Sequence, residues 1–381
     1  MRQGLFKRRK FWFNLHLTLA IVCALPLFIV ALSGCVISYH DEIIELFESK
    51  TQISNAGKPL PVSEILTKFR EQKGDFSVSY VSFKKGGGAI KISGIDGAGA
   101  FNSYFVDPYS GGVISQSAGD KIVAVAMNLH KNLGLALINP QSEALNFTGK
   151  QISAVSTAAL ILLIISGVII YYPSFRTKIS RAFTINFKAR GYNLLYKIHA
   201  AAGIYSAAVL LIICFTGLYF SYDFIARGTN KILGESEILR RPNYTQTRGL
   251  DINETDKFSR FDEVLKIFKR ERGENYEFLN VTVSRGAGVF NCIYADAGDE
   301  GEERVSSMSI DGVSGKILRN LRFDDDSVKP PRPLAITKFM LNLHAGYVFG
   351  EAGKFLFCLS SFLVAAFIIT GFLMTAKRAS L

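Results

Sequence analysis

The chain has 381 residues, of which 49% are hydrophobic, and a formal net charge of +12. The positive charge is gathered in short segments beside long apolar ones. Membrane topology therefore explains it, and nucleic-acid binding is not needed as an explanation.

Four apolar segments contain no Asp, Glu, Lys or Arg, and each reaches the roughly 20 residues that span a hydrocarbon core. The sequence predicts an α-helical membrane protein with four transmembrane helices and α+β exported domains. In chain order, the predicted parts are a cytoplasmic basic N-terminus (1–16), transmembrane helix 1 (17–39), exported domain 1 (40–125), a histidine segment (126–150), transmembrane helix 2 (151–173), a cytoplasmic basic loop (174–197), transmembrane helix 3 (198–222), exported domain 2 (223–335), a second histidine segment (336–354), transmembrane helix 4 (355–376) and a cytoplasmic C-terminus (377–381).

Short basic segments give the orientation. The N-terminus, the stretch from Arg176 to Lys197 and the C-terminus carry Lys and Arg, which places all three on the cytoplasmic side. The two long connections then face a periplasm or the cell exterior. Only one cysteine, Cys292, lies in an exported region, so no exported disulfide can form within one chain.

The chain is an internal duplication in which each half consists of a helix, an exported domain, a histidine segment and a second helix. Repeats of this kind place functional sites at the interface between the halves. The matching landmarks are His16 with His199, Ser33-Gly34 with Thr216-Gly217, Asn128-Leu129-His130 with Asn342-Leu343-His344, and Ser166-Gly167 with Thr370-Gly371.

Each exported domain is predicted to contain a helix, alternating strands and a closing turn. In both copies this turn holds an Asp and a Gly four residues apart, namely Asp107 with Gly111 and Asp311 with Gly315. Asp bonds nearby backbone N–H groups, and Gly tolerates a positive φ. The motif therefore predicts a turn and not a catalytic site.

Four of the five histidines lie at the ends of the apolar segments. His16 precedes Gly34 by about 27 Å along a helix, which places it near the cytoplasmic boundary, where His199 begins transmembrane helix 3. His130 and His344 precede the helices that run inward from the exported side. The sequence predicts two pairs at opposite boundaries, His16 with His199 and His130 with His344.

Two facing imidazoles suit the two axial positions of a haem iron that is held without covalent attachment. The four paired histidines are therefore the predicted ligands of two haems. The absence of C-x-x-C-H excludes c-type attachment. Small residues four positions after three of the histidines leave room for a macrocycle: Ala20, Gly134 and Gly203. The basic residues that can pair with haem propionates on the cytoplasmic side are Arg8, Arg9, Lys10 and Lys197.

Other interpretations stay open for individual residues. A single histidine at a helix end is more often hydrogen-bonded or water-facing, whereas duplicated pairs at membrane depth favour ligands. His40 has Asp223 as its counterpart and breaks the symmetry. It is interpreted first as a surface residue, with a contact to the outer haem or a place in a substrate site as alternatives. Four glycines are interpreted as helix-packing positions: Gly34, Gly167, Gly217 and Gly371.

These ordered features resemble the PepSY-associated transmembrane proteins of bacterial iron uptake. In that family a histidine-bearing first helix ends in Ser/Thr-Gly, an exported domain ends in an Asp-x-x-x-Gly turn, and a Leu-His segment leads into another span. The resemblance implies two PepSY-like periplasmic domains, an inner-membrane location and two b-type haems. It also implies an enzyme similar to ferrioxamine reductase, which reduces a periplasmic ferric-siderophore from Fe(III) to Fe(II). The residues that match the pattern are His16, Ser33-Gly34, His130, His199, Thr216-Gly217 and His344.

The cytoplasmic loops are too short for a flavin or nicotinamide domain, so the expected electron donor is a quinol or a separate cytoplasmic reductase. No residue is assigned to the chelate site. Two further functions stay open, a non-catalytic membrane-anchored PepSY module that binds a periplasmic partner and a transporter or transport accessory protein. The transporter ranks last, because few charges lie within the apolar segments.

Overall fold

The computed structural model describes residues 2–48, 53, 57–177, 184, 188–239, 254–283, 288–296, 305–322 and 331–379. Parts of the predicted cytoplasmic loop (178–183) and of the second exported domain (240–253) lie outside the described residues. The chain divides into two compact units. The helical unit comprises Met1–Tyr39, Val125–Ser236 and Phe339–Leu381, and the sheet unit comprises His40–Ala124 and Glu237–Lys338.

The described helices in chain order are α1 (Arg2–Val22), α2 (Ala24–Ser38), α3 (His40–Glu48), α4 (Val62–Lys73), α5 (Ala118–Asn132), α6 (Leu135–Ile138), α7 (Glu143–Thr177), α8 (Gly191–Ser221), α9 (Asp223–Ile232), α10 (Glu254–Arg272), α11 (Arg332–Ala345) and α12 (Gly350–Ala379). A short 3₁₀ helix, Tyr347–Phe349, precedes α12. The strands are β1 (Phe76–Lys84), β2 (Ile90–Asp96), β3 (Phe101–Val106), β4 (Val113–Gln116), β5 (Tyr276–Val283), β6 (Val289–Asp296), β7 (Ser306–Asp311) and β8 (Ile317–Leu321).

Three helical stretches in the described chain are long and apolar enough to cross a membrane: Glu143–Pro173, Gly191–Ser221 and Tyr347–Lys377. Each exceeds the roughly 20 residues that a bilayer core requires. They make the chain a membrane-embedded protein. The pair α1 and α2 would supply a fourth span if both helices cross together.

The first apolar segment is bent, which the sequence analysis did not foresee. The sequence predicts one straight helix over residues 17–39, whereas α1 and α2 meet at Cys23 with a bend of 66°. Pro26 follows the bend and has no N–H to donate to the carbonyl of Val22, and its ring crowds that turn. The distance of about 27 Å deduced for a straight helix therefore does not apply.

The sheet unit contains one eight-stranded antiparallel sheet with the strand order β4-β3-β2-β1-β5-β6-β7-β8. The sequence predicts two PepSY-like domains, and the structure joins the strands of both copies. The first strand of each copy meets the other, with Val81 opposite Val281. Each copy thereby covers an edge that would otherwise expose unpaired backbone N–H and C=O groups.

The two copies also share one hydrophobic core. Phe69 of α4 and Phe268 of α10 lie in the same buried cluster as Val81 and Val281. The predicted turn chemistry is confirmed in both copies. The Oδ1 atoms of Asp107 and Asp311 accept backbone N–H bonds, each of 2.9 Å, and the glycines four residues later have φ of +73° and +68°.

One carboxylate links the copies at a helix start. Asp262 of α10 accepts the backbone N–H of Val62 at 2.7 Å and that of Ser63 at 3.2 Å, at the first turn of α4. The Ser63 hydroxyl also donates to Asp262. The N-cap of α4 is Pro61, which offers no capping side chain, so Asp262 satisfies amides that the helix leaves open.

We expect Asp262→Ala to destabilise the start of α4 by about 1–2 kcal/mol, because two helix amides lose their acceptor. Hydrogen–deuterium exchange of peptides that cover α4 measures the effect as faster exchange. Glu263→Ala is the matched control, since the Glu263 side chain is 61% exposed and its ion pair within the described part of the chain is with Lys266 at 3.8 Å. Equal exchange in the two variants would contradict the capping role.

Candidate functional site

The inner pair, His16 and His199, brings the two halves of the chain together. His16 of α1 and His199 of α8 have ring centroids 6.4 Å apart and ring planes at 71°. The Nδ1 of His16 lies 2.9 Å from Ser166 Oγ on α7. The Nδ1 of His199 lies 2.8 Å from Thr370 Oγ1 on α12. Each histidine is thus held by the second long helix of its own half.

The outer pair, His130 and His344, repeats this arrangement. His130 of α5 and His344 of α11 have ring centroids 6.1 Å apart and ring planes at 65°. The Nδ1 of His130 donates to the carbonyl of Val30 at 2.9 Å. The Nδ1 of His344 lies 2.9 Å from Thr216 Oγ1 and 3.1 Å from the carbonyl of Ile213. Both pairs therefore take one histidine from each half.

The acceptors at the outer pair determine which ring nitrogen carries the proton. A carbonyl oxygen can only accept a hydrogen bond, so a neutral imidazole that bonds to it through Nδ1 must carry its proton there. This applies to His130 at Val30 and to His344 at Ile213. The Nε2 atom of each ring is then left with a lone pair.

The inner pair reaches the same tautomer through hydroxyl groups. Ser166 Oγ donates its own proton to the carbonyl of Leu163 at 3.1 Å, and Thr370 Oγ1 donates to that of Ala366 at 2.8 Å. Both hydroxyls therefore accept from the imidazole Nδ1. Among the described residues, all hydrogen bonds of the four paired rings are made through Nδ1.

Ring spacing in both pairs fits one metal ion between two imidazoles. A metal–nitrogen distance of about 2 Å on each side places the two ring centres about 6 Å apart. The measured separations are 6.4 Å and 6.1 Å. Neutral imidazoles whose Nδ1 is fixed by a hydrogen bond and whose Nε2 is free are the usual form of a histidine ligand.

Three of the four Ser/Thr-Gly pairs form notches that receive a histidine ring. A Cβ at Gly34 would lie 3.2 Å from the His130 ring, and one at Gly217 would lie 3.4 Å from the His344 ring. At Gly167 the nearest His16 atom would be 3.5 Å away. The sequence predicts helix-packing positions at these three glycines. In the structure an imidazole ring packs against each of them. Gly371 is the exception, since its Cβ would meet nothing within 4 Å.

The hydroxyl of the Ser/Thr-Gly pair is the functional feature that the sequence analysis missed. Ser166, Thr216 and Thr370 each position a histidine. Ser33, the fourth member, donates instead to the backbone of its own helix, at 2.6 Å to Ile29. The signal is present in the sequence, because the pair recurs in all four apolar segments.

A cavity of about 280 Å³ adjoins the inner pair. His16 and His199 both line it, together with the small residues Ala20 and Gly203 that the sequence analysis singled out. A Cβ at Gly203 would meet nothing within 4 Å. Most of the remaining wall is aliphatic or aromatic, as is usual for a site that buries a flat cofactor.

The small residue predicted beside His130 lies elsewhere. The sequence predicts Gly134 one turn beyond His130 on the same helical face. In the structure, however, α5 ends at Asn132 and the chain turns at Leu133, where φ is +53°. Gly134 precedes α6 with φ of +78°. It belongs to a turn that only a residue tolerant of positive φ enters without strain.

The remaining predicted residues take no part in the two pairs. Arg8, Arg9 and Lys10 are exposed, and Lys197 Nζ lies 5.9 Å from the Tyr171 ring centre. Their pairing with propionates stays a prediction.

His40 belongs to the sheet unit. Its Nε2 lies 3.3 Å from Asp41 Oδ1, and its side chain is 22% exposed. Neither its interpretation as a surface residue nor its alternative roles are tested by these contacts.

The two pairs lie at different levels of the helical unit. His199 and Gly217 are 18 residues apart on α8, which corresponds to about 27 Å along the helix axis. His344 contacts Gly217, so the outer pair lies near that end of α8. The separation is comparable to the thickness of a bilayer core, about 30 Å.

These observations define a membrane protein with two half-buried imidazole pairs near opposite ends of a bundle of apolar helices. The chain belongs to the PepSY-associated TM region family, which matches residues 13–378 and therefore nearly the whole chain. A search of curated proteins found no match.

We expect nitrogen-15 NMR of the cofactor-free protein, labelled at histidine, to show the Nδ1–H tautomer for all four paired residues. Each Nδ1 faces a carbonyl oxygen or a hydroxyl whose own proton is already donated, so the imidazole must supply the proton of the hydrogen bond. Single His→Asn variants assign the signals, and His40 serves as the reference outside the pairs. An Nε2–H tautomer at any paired position would contradict the hydrogen-bond assignment.

Proposed function

We propose that this protein is a di-haem electron-transfer enzyme of the bacterial inner membrane that reduces a periplasmic ferric-siderophore. The observation that carries the proposal is the pair of imidazole sites, with the proton of each ring held at Nδ1. Haem bound at both pairs would supply one-electron carriers near the two faces of the bilayer. His16 and His199 would hold one b-type haem, and His130 and His344 would hold the other.

The chain's own residues do the remaining work. The hydroxyls of Ser166, Thr216 and Thr370 hold the rings in one orientation and keep Nε2 unprotonated. Because each pair would supply two protein ligands to a haem, that haem would favour electron transfer over oxygen binding. The wall of the cavity beside His16 is mostly apolar, which would favour a flat apolar cofactor over water.

The choice of substrate is supported by the family and by the chemistry of iron. The resemblance to ferrioxamine reductase implies a ferric chelate on the exported side. Fe(III) in a hard oxygen chelator is released when it becomes Fe(II), because the lower charge weakens its bonds to oxygen. The electron donor that fits the chain is a quinol or a separate cytoplasmic reductase.

The proposal is tested first by absorption spectroscopy of the purified protein from cells with ample haem. We expect a Soret band that shifts on reduction with dithionite and about two haems per chain. We expect His199→Ala to retain about one haem, because only the inner pair loses a ligand. His40→Ala is the control and keeps both.

A colourless preparation would remove the haem proposal and leave a membrane-anchored PepSY module that binds a partner. Partial loss of both spectral components from His199→Ala and from His344→Ala alike would contradict the assignment of separate pairs.

We expect the dithionite-reduced protein to be reoxidised when ferrioxamine is added without oxygen, with one electron transferred for each Fe(II) formed. A ferrous chelator that develops colour measures the product. The gallium complex of the same siderophore is the matched control, since Ga(III) has the charge and a size close to those of Fe(III) but accepts no electron. Reoxidation by neither complex would contradict the substrate class, and reoxidation by both would show that the oxidant is not the chelated iron.

A further inference from the structure

Two cysteines from different helices lie in contact. Cys35 of α2 donates through Sγ to the backbone carbonyl of Cys358 on α12 at 3.3 Å, and the two thiol groups also interact with each other. Both cysteines are free. Because α2 belongs to the first half of the chain and α12 to the second, this contact joins the two halves.

Exposure separates this pair from the other cysteines. Cys35 and Cys358 are half-buried, whereas the three others are buried: Cys23, Cys214 and Cys292. A thiol exchanges with a disulfide only when another sulfur atom can reach it, and thiols buried in apolar surroundings are inert. The two cysteines that a reagent can reach are thus the two that lie together.

Helix packing alone does not require sulfur at these positions. The alignment of the paired histidines and of the Ser/Thr-Gly pairs places Leu218 of α8 opposite Cys35, and Ala154 of α7 opposite Cys358. Leu218 and Ala154 are both buried, with 7% and 2% of their surface exposed. Apolar side chains occupy the corresponding positions of the other helix pair, so the two thiols are special to α2 and α12.

Cys35 adjoins the first histidine of the outer pair. The preceding residue, Gly34, lies against the His130 ring, which a Cβ at Gly34 would approach to 3.2 Å. The Nδ1 of His130 also donates to the carbonyl of Val30, about one turn before Gly34 on α2. The helix that carries Cys35 therefore positions the His130 ring.

Cys358 adjoins the segment that carries the second histidine of this pair. The preceding residue, Phe357, lies against Gly346, where a Cβ would be 2.9 Å from the Phe357 ring. Gly346 follows His344 by two residues. A bond between the two cysteines would therefore join the helices that contact the two outer histidine segments.

We propose that Cys35 and Cys358 are a redox pair that forms a reversible disulfide between α2 and α12. The oxidant is a disulfide that reaches these helices: one cysteine attacks it and forms a mixed disulfide, which the second cysteine then displaces. Two S–H bonds of the protein break and one S–S bond forms. The S–S bond of the oxidant breaks, and its two sulfur atoms leave as thiols with the two protons. This inference goes beyond the proposed function and does not depend on haem.

The test uses the purified full-length chain and 4,4′-dithiodipyridine, a small apolar disulfide that releases coloured thiopyridone. An isolated cysteine releases one thiopyridone and keeps a pyridyl adduct. Two cysteines that lie together release two and keep no adduct, because the second thiol displaces the pyridyl group from the first. Absorbance measures the release, and mass spectrometry of peptides locates adducts and cross-links.

We expect the parent chain to release two thiopyridones in the fast phase and to yield linked peptides that contain Cys35 and Cys358. Dithiothreitol should restore both thiols. Cys35→Ala should release one thiopyridone in that phase and keep an adduct at Cys358, and Cys358→Ala should keep one at Cys35. Cys214→Ala, which removes a buried cysteine of α8, is the control and should behave like the parent.

Three results would overturn the inference and leave the proposed function standing. Adducts that stay on both Cys35 and Cys358 of the parent would show accessible thiols that do not pair. No reaction at either cysteine, in the parent and in the single variants, would show that these thiols do not exchange. A cross-link that uses another cysteine, or that joins two chains on a non-reducing gel, would place the redox chemistry elsewhere.

Discussion

The hydrogen bond at Nδ1 of each paired histidine is the constraint on which the proposed function depends. An imidazole N–H group within an apolar helix bundle needs an acceptor, and here hydroxyl and carbonyl groups of neighbouring helices provide it. Each bond lies within one half of the chain, whereas each histidine pair joins the two halves. Each half therefore orients its own rings, and the rings form pairs only when the two halves pack together.

The same dependence of one copy on the other recurs in the sheet unit. The strands β1 and β5 pair across the duplication, Asp262 of one copy caps a helix of the other, and the hydrophobic core contains residues of both. Half of the chain would leave a sheet edge and a helix start unsatisfied. The duplication thus provides complementary surfaces and not two independent modules.

Several features could be predicted from the sequence because they follow from short-range patterns. Apolar length predicted the three long helices that are found, and the Asp-x-x-x-Gly spacing predicted both turns. Three-dimensional packing decided the rest. The bend at Cys23 follows from how the chain accommodates Pro26, and the joining of the copies follows from strand edges that meet. The Ser-Gly motif at Gly34 can be recognised in the sequence, but the histidine ring that packs against it cannot.

The central claim is that two imidazoles bind each haem iron, and electron paramagnetic resonance of the oxidised protein tests it most directly. Two axial imidazoles make ferric haem low-spin, and ring planes at 71° and 65° predict the strongly anisotropic signals that steeply crossed imidazoles produce. We expect two such low-spin signals and no substantial high-spin component. A dominant high-spin signal from the fully loaded protein would mean that an axial position lacks its histidine, and would contradict the account.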